Sequence, residues 1–155
     1  MTRAFKLLHL LFYAMLVGFM IVVQWSLVPA QNRLSAEAYA TLEKGMNNVL
    51  ETLTPVLMIG ALVFGLLVLY LRRRQAARNV LVLLLGGIAC LAVMVVSTLS
   101  INAPINFAID AWDIANLPAD WMTMRDHWEF GHMIRSYVGL PGLTAALAAV
   151  IWDES

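Results

Sequence analysis

Charge is what this chain has least of. Only 13% of its 155 residues are Asp, Glu, Lys or Arg, and ten basic residues offset ten acidic ones. Soluble domains carry about 25% charged and about 45–50% apolar residues; here 61% are hydrophobic and the mean hydropathy is +0.78. With a formal net charge of zero there is no field to attract nucleic acid or an acidic substrate. The single cysteine, Cys90, sits deep in an apolar run, which excludes an intramolecular disulfide and a cysteine-based zinc site. It reads as a small packing residue. A phosphate-binding glycine loop, a dinucleotide fingerprint and a Cys-x-x-Cys pair are missing as well. So are internal repeats, low-complexity segments and the period-two alternation of a membrane barrel.

What the chain does have is four long apolar runs, at residues 7–28, 55–71, 80–101 and 133–152. About 20 apolar residues cross the hydrocarbon of a bilayer as a helix, so the expected fold is all-α. It is an integral membrane four-helix bundle forming one domain over 1–155, with an ordered helical region outside the cytoplasm. The second run is the shortest and should stand nearly upright or borrow a turn from the segment before it. The first resembles a signal peptide, with Arg3 and Lys6 ahead of it, but its apolar stretch is longer than such a segment needs. A retained membrane helix is expected there.

Basic residues cluster at Arg3 and Lys6 and at Arg72, Arg73, Arg74 and Arg78, whereas the other two connections are acidic or mixed. Positive charge stays inside. Both termini are therefore expected in the cytoplasm, most simply that of a bacterium with the chain in its inner membrane, and two larger loops lie on the opposite side. The arginines read either as this topology signal or as a site for anionic lipid. In the first outer loop Ser35 is a candidate N-cap, and Ala38, Leu42, Met46, Val49, Leu50 and Leu53 follow at helical spacing. Glycines at 60, 65, 86 and 87 suggest close helix packing, and His9, alone near the start of the first span, a hydrogen-bonded interfacial residue.

Polar chemistry concentrates at 102–135. Pro104, between Asn102 and Asn106, should kink or stop the third span. The carbonyls so freed need donors such as these asparagine amides or arginines on a facing helix. Further on, Trp121, Arg125, Trp128, His132 and Arg135 recur at intervals of four and three, which places them within about 60° on one helical face. Glu129 lies at its edge, and His127 and Asp126 point away. Such residues at the mouth of a membrane helix are costly to place there without a use. A neutral histidine can take a proton near neutral pH, arginines can hold a phenolate or enolate, and tryptophans can stack on a flat ring. The competing reading is an internal salt-bridge network with Glu129, Asp110 or Asp113 and with tryptophans as interfacial anchors. Glu129-x-x-His132 has the spacing of di-iron bundles, but those sites need the motif twice, and no metal is expected.

The pattern Asn102-x-Pro104-x-Asn106, Trp112, then Trp121-x-x-x-Arg125-x-x-Trp128-x-x-x-His132-x-x-Arg135 resembles the anthrone oxygenase-like family of small integral membrane proteins. Many bacterial members of that family are classed only as a domain of unknown function. The resemblance covers the four-span layout, and its specific part is 102–135. It implies monooxygenase chemistry: oxidation of a tricyclic anthrone to an anthraquinone by molecular oxygen, with no cofactor. It also implies His132 as base, Arg125 and Arg135 as anion stabilisers, Asn102 and Asn106 as orienting amides, and Trp121 and Trp128 as walls. The expected partners are a hydrophobic aromatic or lipid-like small molecule and membrane lipids, with no nucleic acid and with a homo-oligomer left open. The alternative function is a non-catalytic membrane protein that binds a lipid, quinone or partner subunit through the same polar pocket. A transporter component is disfavoured by the scarcity of ionisable residues in the spans.

Overall fold

A computed structural model describes residues 2–153. Four helices make up most of it: α1 Thr2–Gln31, α2 Ala36–Arg72, α3 Arg78–Asp110 and α4 Trp121–Trp152. No strand occurs among the described residues, and all four helices are long and apolar enough to cross a membrane. The fold is thus the expected helical one, but the helices outrun the apolar runs. At about 1.5 Å per residue the 37 residues of α2 extend for roughly 55 Å, against about 30 Å of hydrocarbon. The surplus gathers at one end, where α1 and α3 finish and α2 and α4 begin.

That end is ordered. Ser35 caps α2, its Oγ accepting from the Ala38 amide at 3.3 Å, and the first outer segment continues α2 instead of forming a separate helix. The connection between α3 and α4 folds back on it: Tyr39, Ala40, Ile109 and Trp112 form a buried cluster, with Trp121 packed against it. Asp113 closes a turn in this connection by accepting from the Asn116 amide at 2.9 Å and the Ala115 N–H at 3.1 Å. These bonds, the Asn116 side chain first, hold its carboxyl below the usual range.

At the opposite end Lys6 of α1, Arg72 at the end of α2 and Asp153 just after α4 meet. Asp153 accepts from Arg72 Nη2 and Nε at 2.6 and 2.9 Å and pairs with Lys6 at 2.9 Å. Between the ends, the core is Tyr13, Leu16, Met20, Leu57, Ala61, Leu91, Met94 and neighbours. Lipid tails are as apolar as leucine, so helices in a bilayer associate through close packing and polar contacts. Both are present. A Cβ on Gly142 would lie 2.0 Å from the Tyr13 hydroxyl, and one on Gly65 would lie 2.8 Å from the His9 ring. His9 is fully buried and, as expected, hydrogen-bonded, to the Ala61 carbonyl at 2.8 Å; Tyr13 donates to that of Gly87 at 3.2 Å.

Pro104 does not stop α3. The helix runs on to Asp110 through a widened π-helical turn at Thr98–Asn102, closed by the Ala103 N–H donating to Thr98 O. The same device occurs in α1, at Val23–Leu27, just ahead of Pro29. A proline lacks its N–H and its ring crowds the carbonyl four residues earlier. Here those carbonyls belong to Ser100 and Trp25, each inside a widened turn that absorbs the misfit. Such turns collect at functional sites, and both of these border the cavity described next.

Candidate functional site

The face of α4 turns inward as its spacing predicts, burying Trp128, His132 and Arg135 and leaving Asp126 and His127 exposed. Neighbouring helices hold each inward group in one orientation. The Trp128 ring lies parallel to the His132 ring, 5.0 Å between centroids and 7° between planes. Its Nε1–H donates to Asn106 Oδ1 at 2.7 Å, and its carbonyl accepts from Asn102 Nδ2 at 2.9 Å. The asparagines beside Pro104 therefore grip α4, not the freed carbonyls of their own helix.

His132 faces the Met20 carbonyl with Nε2 at 3.0 Å and Arg135 Nη2 with Nδ1 at 3.0 Å. A carbonyl only accepts and a guanidinium only donates. These partners fix the tautomer: Nε2 carries the proton and the Nδ1 lone pair receives Arg135. Ser136 donates to the same Met20 carbonyl at 3.2 Å. Arg135 also donates through Nη1 to Thr98 Oγ1 at 3.3 Å. Among the described residues its Nε has no partner, nor has Asn102 Oδ1. Arg135 is 5% exposed, yet among the described residues no carboxylate lies within ion-pair distance of it.

These groups border a cavity of about 200 Å³ lined by Asn102, Asn106, Trp128, His132 and Arg135 on one side. Phe19, Met20 and Val23 of α1 contribute apolar wall, and α2 supplies Glu43 and Asn47. The cavity opens between α2 and α3, where its lining residues Glu51, Pro55, Leu99 and Phe107 are exposed. An apolar hollow of about 280 Å³ continues along the same seam and shares Thr54, Pro55, Thr98 and Leu99 with it.

Two of the seven expected site residues stay outside. Trp121 packs on Tyr39 with ring centroids 5.6 Å apart, and Arg125 covers the Trp121 ring at 5.5 Å. Arg125 pairs with Asp126 at 2.9 Å and, more loosely, with Glu129 at 3.8 Å; neither Trp121 nor Arg125 lines the cavity. The salt-bridge network weighed from the sequence is thus realised for Arg125 and not for Arg135. Glu129 and His132 do not come together as metal ligands: both ring nitrogens of His132 are engaged elsewhere. No group of three His, Cys, Asp or Glu able to hold a metal occurs among the described residues.

The expected pocket omitted Glu43, Gln31 and Asn47. Glu43 is buried on the cavity wall and accepts from Gln31 Nε2 of α1. Asn47 donates to Asp110 Oδ1 at 2.9 Å. The signal for Glu43 and Asn47 was their helical spacing with Tyr39, a stripe adjoining the apolar one.

The sequence model for anthrone oxygenase matches residues 46–147, well over half of the chain and all five of the inward-facing residues of α3 and α4. The chain belongs to the anthrone oxygenase family. No curated protein and no solved structure matches it. For an anthrone oxygenase family member, the matched region spans the cavity wall formed by α3 and α4, whereas α1, Gln31 and Glu43 lie ahead of it.

Proposed function

We propose that this anthrone oxygenase family protein is a membrane oxidoreductase acting on a hydrophobic aromatic with an acidic C–H conjugated to a carbonyl, with dioxygen as the oxidant and no cofactor. The observation that carries the reading is Arg135. A buried cation without a counter-ion is costly, and its partners here, Thr98 and His132, are neutral. An anion formed in the cavity supplies the missing charge. Removal of the C–H proton leaves an enolate whose oxygen can accept from Arg135, which strengthens as the negative charge develops. The electron-rich carbanion then reduces dioxygen itself. In sum a CH2 group and O2 become C=O and H2O.

The walls fit a flat apolar ring. Trp128 and His132 form one stacked surface, and Phe19, Met20 and Val23 form another. The volume lies between the ~150 Å³ that holds one benzene ring and the roughly 300 Å³ at which drug-sized pockets begin. A tricyclic substrate would extend into the mouth between α2 and α3. Entry is through that mouth, from the leaflet away from the cytoplasm, with both termini inside. Asn102 and Asn106 orient the site through Trp128. Arg125 and Trp121, one and two turns further out, pack outside the cavity and take no part in it. The site's partners are then a hydrophobic aromatic small molecule and the surrounding membrane lipids.

The test is oxygen uptake by the purified protein in nanodiscs with anthrone, together with chromatographic detection of anthraquinone. Stoichiometric uptake and product support the reading. Tight anthrone binding without any uptake would replace it with a non-catalytic carrier of lipid-like or quinone ligands, for which the apolar hollow beside the cavity is the favouring observation.

A further inference from the structure

The reaction above needs a group that takes the substrate's proton, and the resemblance points to His132 for it. The geometry points to Glu43 instead; this inference rests on the proposed oxygenase reading. A base must offer a lone pair to the cavity and tolerate the charge it acquires. The His132 Nδ1 lone pair is occupied by Arg135 at 3.0 Å, and its Nε2 already carries a proton toward Met20 O. To act, the imidazole would have to break the arginine contact and become a second buried cation against an uncompensated one. The amides, the hydroxyls and the guanidinium on the cavity wall are not bases at neutral pH. Two carboxylates remain, Glu43 and Glu51. Glu51 is exposed at the mouth, whereas Glu43 is 1% exposed on the inner wall.

Glu43 is also the electrostatic complement of Arg135. No cation lies within ion-pair distance of Glu43 among the described residues, as no carboxylate does of Arg135. One cavity thus holds a buried acid on α2 and a buried guanidinium on α4 that do not touch. A neutral carbon acid between them resolves both. Its proton moves to Glu43, which becomes a neutral carboxylic acid, and the negative charge moves to an oxygen beside Arg135. Gln31, donating to Glu43 from the end of α1, is the positioning residue.

The proton balance closes over one turnover. The substrate C–H breaks, the electron pair stays on the substrate, and an O–H forms on Glu43. Dioxygen adds to the carbanion, and Glu43 returns the proton to the resulting peroxide. Glu43 then removes the second proton from the same carbon, the O–O bond breaks as C=O forms, and the departing hydroxide takes that proton to leave as water. Glu43 ends as it began.

Anaerobic exchange isolates the proton step. Wild-type protein in nanodiscs under argon is incubated with anthrone in D2O, and deuterium incorporation at the methylene carbon is followed by NMR, with equilibrium binding of anthrone measured on the same preparation. Wild type should accelerate the exchange above the buffer rate. Glu43→Gln should bind anthrone within threefold of wild type and lose about 100-fold or more of the exchange rate, the usual contribution of a general base. Should Glu43→Gln fail to bind, Glu43→Asp keeps the charge one carbon further away, and an exchange rate about tenfold or more below wild type is expected. Exchange at the wild-type rate in a binding-competent Glu43→Gln or Glu43→Asp overturns the assignment, as does exchange lost in His132→Gln but kept in Glu43→Gln. A wild-type protein that takes up no oxygen with anthrone overturns the functional reading itself, which separates the two failures.

Discussion

Arg135 separates function from stability more sharply than any other residue. Its guanidinium is buried against neutral partners, so its desolvation is not offset by an ion pair in the resting protein. Replacing it with methionine removes the buried charge and keeps much of the volume. Arg135→Met should leave the thermal unfolding midpoint in detergent unchanged or raised, while kcat/KM for anthrone oxidation falls about 10²–10³-fold, as for loss of an oxyanion donor. A variant that loses stability and activity together would make Arg135 a structural residue. Trp128→Phe probes the neighbouring contact. The stacked ring survives, but the donation to Asn106 Oδ1 at 2.7 Å is lost. Its cost should be about 1 kcal/mol, read as a small shift in the denaturation midpoint.

The helices meet through glycines, and the consequences of that differ along each element. At Gly131 a Cβ would come within 2.6 Å of Asn102 Oδ1 and 2.8 Å of Ile101 Cγ2. Gly131→Ala must push α3 from α4 or turn Asn102 off the Trp128 carbonyl. Overpacking of this kind costs about 1–3 kcal/mol, and the site should loosen with it. Gly18, Gly45 and Gly86 meet nothing within 4 Å, so alanine there should be neutral or stabilise by up to about 1 kcal/mol; unfolding in a denaturing detergent separates the two groups. The sequence grouped Gly60, Gly65, Gly86 and Gly87 alike, and only Gly86 faces open space. The inward face of α4 was legible because tryptophan, histidine and arginine at three- and four-residue spacing contrast with an apolar background. The outer part of α2 was legible as a helix but not as a cavity wall. Its apolar stripe suggested the packed face, yet Val49 and Leu53 are 65% and 41% exposed while Glu43 and Asn47 are buried. Here the hydrophobic period marks the outward face, because the inward one is given to the polar side chains of the cavity wall. The widened turns were not legible either: Pro104 announces a lost hydrogen bond, but whether a helix stops or widens depends on what packs beside it.

For the molecule as a whole, charge sits at its two ends. Among the described residues Asp153 pairs with Lys6 and Arg72, with all three side chains at most 10% exposed. This contact ties α1, α2 and the end of α4 together, and it makes Arg72 a structural residue as well as part of a basic loop. Asp153→Asn removes a buried carboxylate from this cluster and should cost a few kcal/mol, seen as a lowered unfolding midpoint that added salt changes little. The remaining arginines, at 73, 74 and 78, lie in or beside the α2–α3 connection, while the α3–α4 connection carries Asp113 and Asp120. The positive-inside rule predicts that the first faces the cytoplasm and the second does not. Two single-cysteine proteins test this in a Cys90→Ala background, one with Ala77→Cys and one with Ala115→Cys, both at exposed loop positions. A membrane-impermeant maleimide should label position 115 with the cytoplasmic membrane intact and position 77 only after that membrane is opened. The cavity mouth lies on the side of position 115, beyond the midpoint of α2. Labelling at 115 therefore puts the entrance in the leaflet away from the cytoplasm, and the reverse pattern would require a substrate delivered from within the cell.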